Sequence, residues 1–314
     1  MFSRRTILGT IAATALLTGP TAVFAEGEYV ALVSKGFQHQ FWQAVQSGAE
    51  QAAEELGVTI TFEGPDNETM VDKQIDMLAA ALANKPAAIG FAALDSQAAI
   101  PLLRDADAAG IPIIAFDSGV DSDIPLATAA TNNMAAAALA AEKMAEFIGG
   151  KGKVAVVAHD QTSRTGIERR DGFLEKIAAD YPDIEVVTVQ YGAGDQLKST
   201  ELTKAILTAN PDLSGIFGTN EGSAIGVVNG VTEMGTEGVV IIGYDSGKAQ
   251  KDAIRSGLMA GAITQNPVGI GYETVKAAIM AARGETIDSE IDTGFYYYDA
   301  ETIDNPEIAA VLYD

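Results

Sequence analysis

The chain has 314 residues, 47% of them hydrophobic and 20% charged, and it carries a formal net charge of −23 at pH 7. That length fits two domains of ordinary size with a core in each, and the strong acidity disfavours nucleic acid and anionic membranes as partners. There is no cysteine, which excludes disulfides and thiolate metal sites, and the two histidines, His39 and His159, lack neighbours at metal-ligand spacing, so no metal or cofactor is expected.

The first element is a leader. Arg4 and Arg5 form a basic segment, Ile7 to Leu17 an apolar run, and Val23-Phe24-Ala25 a small-residue cleavage site, so residues 1–25 read as an export signal peptide. Ser3-Arg4-Arg5-Thr6-Ile7-Leu8 resembles the twin-arginine export signal, although Ile7 stands where that signal prefers Phe, which leaves the ordinary secretory route as the alternative. The expected location is the periplasm. Removing the leader takes away two arginines and no acid, moving the net charge from −23 to −25. No later segment reaches the roughly 20 continuous apolar residues of a membrane helix, and the mature chain is expected to be soluble.

Strand and helix signals then alternate. A β-branched run at Val30 to Val33 is followed by a helical stretch from Gln40 to Leu56 and a strand signal at Val58 to Phe62. Further strands are predicted at Ala88 to Leu94, Ile111 to Phe116, Val154 to Ala158, Ile184 to Tyr191, Gly215 to Thr219, Val239 to Tyr244 and Ala260 to Thr264. Helix-length segments separate most of them, a pattern that predicts parallel sheets wrapped by helices, an α/β fold.

The alternation also repeats. Ile113-Ile114-Ala115-Phe116-Asp117-Ser118-Gly119 is matched 128 residues later by Ile241-Ile242-Gly243-Tyr244-Asp245-Ser246-Gly247. A weaker echo precedes it, with Lys85-Pro86 before one strand and Asn210-Pro211 before another. Two similar lobes are implied, each offering an acid at the carboxyl end of a strand, where open parallel sheets bind their ligands.

Catalytic signatures are missing. Gly192-Ala193-Gly194-Asp195 lies between a strand and a helix as a dinucleotide loop would, but Leu197 occupies the place of the third glycine. No phosphate-binding loop, nucleophile elbow or zinc-protease motif occurs. The remaining polar and aromatic residues at strand ends are Lys35, His39, Phe41, Trp42, Asp117, Arg169, Asn220, Asp245 and Gln265, with Arg164 as a further candidate that could instead pair with a surface acid. Such a set suits a polyhydroxylated ligand, since aromatic faces pack on the C–H faces of a sugar and charged groups hydrogen-bond its hydroxyls. Each residue also has a structural reading: Phe41 as core, Trp42 as a lobe anchor, Lys35 as a solvated cation, the two aspartates as helix caps, Asn220 and Gln265 as turn-bridging amides.

At these residues the chain resembles the periplasmic sugar-binding proteins of ABC importers, in the ribose-binding branch that shares its fold with LacI-type repressor cores. The resemblance spans Glu28 to about Tyr298. It implies that Phe41 and Trp42 stack on the sugar, that Asp117, Asp245, Asn220 and Gln265 hydrogen-bond it, and that Arg169, within Glu168-Arg169-Arg170-Asp171-Gly172-Phe173, clamps its hydroxyls. It implies a type I periplasmic binding fold, two Rossmann-like lobes joined by three hinge crossovers near Thr131, Gln265 and Ile291, and lobes formed by residues 26–131 plus 266–291 and 132–265 plus 292–314. Ser118 stands where ribose binders carry Arg, Ala92 where they carry Asn, and His39 also replaces an Asn, while Lys35-Gly36 resembles the rhamnose and autoinducer-binding relatives. Another pentose, a deoxy or branched sugar, or a sugar alcohol is therefore expected rather than ribose. The implied partners are that ligand and an inner-membrane permease, with a chemoreceptor or sensor as an alternative, for a protein that is a monomer and not an enzyme. A sugar-cleaving enzyme would use Asp117 and Asp245 as its carboxylate pair, and a repressor is disfavoured because the leader stands where DNA-binding helices would be.

Overall fold

A computed structural model of the protein describes residues 28–314, and the predicted leader with its cleavage site lies outside the described residues. β1 (Tyr29–Val33), α1 (Gln40–Leu56), β2 (Thr59–Glu63), α2 (Val71–Ala83), β3 (Ala88–Phe91), α3 (Ile100–Ala108), β4 (Ile113–Phe116) and β5 (Ala127–Ala130) come first. The pattern resumes with α4 (Asn133–Ile148), β6 (Gly152–Ala158), α5 (Arg164–Asp180), β7 (Ile184–Tyr191), α6 (Gln196–Ala209), β8 (Leu213–Gly218), α7 (Glu221–Met234), β9 (Val240–Tyr244), α8 (Lys248–Arg255) and β10 (Gly261–Gln265). It ends with α9 (Pro267–Ala282), β11 (Glu290–Asp292), β12 (Phe295–Tyr298) and the single turn α10 (Pro306–Ala309).

Two six-stranded sheets result, ordered β11-β5-β4-β3-β1-β2 and β12-β10-β9-β8-β6-β7. The orders correspond place for place, so the internal sequence repeat is a repeat of lobes: β4 and β9, which carry the matched heptapeptides, hold the same position in the two sheets. Lys85-Pro86 and Asn210-Pro211 likewise precede the equivalent strands β3 and β8. Neighbouring strands run parallel, with one departure from the sequence expectation: edge strand β12 pairs antiparallel with β10. The chain passes between the sheets after β5, between β10 and α9, and between β11 and β12.

The nine strands predicted from sequence all form, with ends shifted by a residue or a few. The three that local pattern did not reveal are short: Ala-Thr-Ala-Ala in β5, Glu-Ile-Asp in β11 and Phe-Tyr-Tyr-Tyr in β12. None contains an alternating β-branched run, and each is a strand because a neighbour offers it a ladder. Each lobe buries apolar residues on both faces of its sheet, as parallel sheets require. Val30, Leu32, Trp42, Val45, Ile114, Phe116 and Ile270 form one face of the first lobe's core, while Val154, Val156, Phe173, Phe217, Ile242 and Tyr244 form one face of the second. Among the described residues no helix is long and apolar enough to cross a membrane.

Candidate functional site

The carboxyl ends of the two sheets face each other across a cleft, and the loops leaving them line a small cavity between the lobes. Asp117 and Asp245 stand directly after β4 and β9, both with left-handed backbones, φ 55° and 80°. Aspartate tolerates this conformation better than most residues, at about 1–2 kcal/mol. In both lobes the aspartate N–H is held by the next strand, Asp117 by Ala129 O at 3.0 Å and Asp245 by Ile263 O at 2.6 Å. The repeat is thus a device that turns one carboxylate from each lobe into the cavity.

Asp245 is well provided for. Its Oδ1 accepts from Gln265 Nε2 at 2.7 Å and its Oδ2 from the Glu221 N–H at 2.9 Å. Asp117 is less so, its nearest cation being Arg169 Nη2 at 3.9 Å. Burial pushes its carboxyl up to about 6, against the pull of Lys35 and Arg169, with Glu68 and Asp245 adding to the rise.

Arg169 projects from α5 and is 3% exposed. Its Nε donates to Asn133 Oδ1 at 2.8 Å, its Nη1 to Thr219 O at 3.0 Å, and its guanidinium lies 3.8 Å from the centre of the Tyr244 ring. These contacts lock the planar fork and leave Nη2 toward Asp117, an arrangement suited to clamping hydroxyls. On the other lobe Phe41 and Trp42 open α1 and meet edge to face at 5.0 Å, and Trp42 also packs on Phe116. Both are almost fully buried, so their core role and their presence on the cavity wall coexist.

His39 precedes α1 and accepts at Nε2 from two amides, Gln38 Nε2 at 3.0 Å and Asn220 Nδ2 at 3.5 Å. Both amide orientations are fixed by backbone donors, since Gln38 Oε1 accepts from the Glu68 N–H and Asn220 Oδ1 caps α7 through the Ser223 N–H. His39 Nδ1 therefore carries the proton, and it is buried with no partner. Gln265 Oε1 is likewise buried and unpartnered. One unmatched donor and one unmatched acceptor among the residues lining the cavity are what a ligand hydroxyl would satisfy.

A second polar group faces them. Lys35 Nζ donates to Thr165 Oγ1 at 3.1 Å, and His159 bonds Thr219 Oγ1 through Nδ1 at 2.8 Å and Thr165 Oγ1 through Nε2 at 3.3 Å. Burial pushes the His159 imidazole down to about 3, with Lys35 and Arg169 acting the same way against Asp160, so it is neutral at physiological pH. Glu68, in the loop between β2 and α2, accepts from Trp42 Nε1 at 2.8 Å. Burial would raise its carboxyl, but the Lys35 ammonium, together with the Trp42 bond, holds it below the ordinary carboxylate range.

Nine of the ten candidates from sequence line this cavity: Lys35, His39, Phe41, Trp42, Asp117, Arg169, Asn220, Asp245 and Gln265. Arg164 does not. It begins α5 five residues before Arg169, about 140° away around the helix at 3.6 residues per turn, and its exposed guanidinium pairs with Asp121 and Glu168. It lines an adjoining groove beside the hinge, which shares Asp117 with the cavity. Glu68, His159 and Thr165 were missed. His159 directly follows β6, so the strand-end rule that selected Asp117 would have found it, had it been weighed as more than a metal ligand.

A family model described as periplasmic binding protein domain matches residues 30–286. Among proteins of known role, the D-apiose import binding protein of Actinobacillus succinogenes is 27% identical over 279 residues, covering 88% of this chain and 86% of that protein. Among solved structures, an ABC transporter solute-binding protein from Agrobacterium vitis bound with α-D-tagatopyranose is 32% identical with a TM-score of 0.87, covering 91% of this chain and 99% of that one. A carbohydrate transporter solute-binding protein from Agrobacterium radiobacter in complex with D-arabinose is 30% identical with a TM-score of 0.88, covering 92% and 99%.

Proposed function

The chain belongs to the periplasmic binding protein domain family, and on that footing we propose that it is the solute-binding protein of an ABC-type sugar importer. It takes a monosaccharide or sugar alcohol between its lobes and delivers it to a permease in the inner membrane. The observation that carries this reading is the cavity itself, which combines two strand-end carboxylates, a locked arginine and an aromatic pair, with an unpartnered donor at His39 and an unpartnered acceptor at Gln265.

Each lobe contributes part of the wall, so a ligand held by one lobe draws in the other. The closed ensemble gains by the ligand's extra affinity for it. Binding rather than turnover is the role, with Asp245 held by Gln265 and the Glu221 N–H as a fixed hydrogen-bond acceptor. The protein acts in the periplasm as a monomer, sent there by its leader through the twin-arginine route.

A thermal-shift screen of the mature chain, Glu26 to Asp314, after refolding to strip bound ligand, tests the reading against pentoses, hexoses, deoxy sugars and polyols. A specific binder raises Tm by mass action. A large shift for one stereochemical set, with a smaller radius of gyration by X-ray scattering, is the expected result. No shift with any carbohydrate or polyol removes the sugar assignment, and unchanged compactness with a tight binder removes closure.

A further inference from the structure

Glu68 is the acidic member of the cavity wall that the strand-end logic does not account for. Its backbone N–H is fixed by Gln38 Oε1 at 2.8 Å and its Oε1 by Trp42 Nε1 at 2.8 Å, so the residue is anchored at its backbone and at one carboxylate oxygen. Among the described residues its Oε2 accepts no hydrogen bond and no cation lies within ion-pair distance, and the Lys35 ammonium donates to Thr165. Oε2 faces the point where Gly194 presents only backbone: a Cβ there would lie 3.3 Å from Oε2 and 3.4 Å from His39 Nε2. The same Cβ would lie 3.0 Å from Asn220 Nδ2, so the missing side chain at Gly194, with its left-handed φ of 65°, is what lets the opposite lobe close onto this point.

We propose that Glu68 is a ligand-contacting specificity residue, whose free Oε2 accepts a hydrogen bond from a ligand hydroxyl and excludes sugar acids and sugar phosphates. An ionised carboxylate is an acceptor only, so whatever reaches it must donate. The rest of the wall agrees: Glu68, Asp117 and Asp245 outnumber Lys35 and Arg169, and an anionic ligand would meet an excess of like charge in a site screened from water. The ligand class is thereby an uncharged polyhydroxylated molecule with a hydroxyl at the Trp42 end of the cavity. This assignment rests on the sugar-binding reading above.

Trp42 is the only tryptophan in the chain, which makes its fluorescence a reporter of the Trp42–Glu68 pair. The mature protein and its Glu68→Gln variant are titrated calorimetrically and by tryptophan emission with D-apiose, D-arabinose, D-tagatose and D-fucose, and with the aldonic and uronic acids D-arabinonate and D-galacturonate. The expected result is a wild-type emission change that follows neutral-sugar binding, a tenfold or greater loss of neutral-sugar affinity in the variant, and a fall of at least tenfold in its preference for neutral over acidic sugars. A variant with the wild-type affinity and preference overturns the assignment, as does binding of a neutral sugar that leaves Trp42 emission unchanged, a readout that needs no variant to fold. A wild-type protein that binds none of the four neutral sugars but does bind an acid overturns the assignment too. If neither this panel nor the thermal-shift screen yields a sugar or polyol that binds, the sugar reading and this assignment fall together.

Discussion

Glu221 provides a quantitative test of how the lobes are held together. It opens α7 in the second lobe, yet its carboxylate reaches the first turn of α1 in the first lobe, accepting from the Gln40 N–H at 3.1 Å and the Phe41 N–H at 3.2 Å. Those donors have no partner within their own helix. Tyr313 Oη adds a third bond at 3.3 Å, and Glu221 is 3% exposed. Burial raises its carboxyl above the ordinary range, so the latch works against a desolvation cost. In an open form the same N–H groups and the carboxylate are hydrated. Hydrogen bonds to a charged group contribute about 1.5–3 kcal/mol net, and a buried donor left unsatisfied costs about 1–3 kcal/mol. With desolvation offsetting part of the two bonds, Glu221→Ala should destabilise the closed form by about 2–4 kcal/mol. If the free protein is mostly open, the whole penalty appears in the apparent affinity, a weakening of about 30- to 700-fold at about 1.4 kcal/mol per tenfold. The assay is calorimetry with whichever sugar gives the largest thermal shift, together with X-ray scattering of both proteins at saturating ligand. A Kd within threefold of wild type would refute the latch, because Glu221 lies outside the ligand cavity and has no other route to affinity.

Arg169→Ala should abolish sugar binding and lower stability by about 3–5 kcal/mol, since it strands Asn133, Asp117 and the Tyr244 face in a buried polar network; Arg169→Lys keeps the charge, loses the planar fork and should bind at least tenfold more weakly with a near-native melting curve. Asp117 has a folded-state value of about 6 against 3.8 ordinarily, so its contribution is present below pH 4 and is lost as pH rises through 6, an interval worth about 3 kcal/mol. His159, whose value is lowered, has the opposite sign, its contribution being present above pH 6.5 and lost as pH falls. In ligand-free melting curves from pH 3.5 to 7, Asp117→Asn should therefore remove a decline between pH 4 and 6, and His159→Gln should remove a loss below 6.5; curves parallel to wild type would contradict both assignments. Gln74→Leu, in α2, should cost about 3 kcal/mol by chemical denaturation, because the buried Gln74 amide serves Ser34 O, Ala92 O and the Leu94 N–H beside the ends of β1 and β3. A loss under 1 kcal/mol would mean that water replaces the amide.

Much of this protein was legible in one dimension. The period of the apolar residues located α1 and nine strands, and the repeated Ile-Ile-x-aromatic-Asp-Ser-Gly implied two lobes with one acid each, since a strand followed by a turn-forming Asp-Ser-Gly is a local object that folds the same way wherever it occurs. Only tertiary structure decided the rest. β5, β11 and β12 exist because a neighbouring edge was free, and the antiparallel course of β12 follows from where the last crossover delivers the chain. Arg164 and Arg169 look alike in sequence, but the face α5 turns to the cleft selects one and leaves the other to surface acids. Glu68 and Glu221 acquire their roles from partners more than 20 residues away or in the opposite lobe, Trp42 for one and the α1 N–H groups for the other. Hydrophobic period and turn chemistry act over a few residues and can be read along the chain, whereas burial, charge compensation and an unmatched hydrogen-bonding atom exist only once two distant surfaces have met.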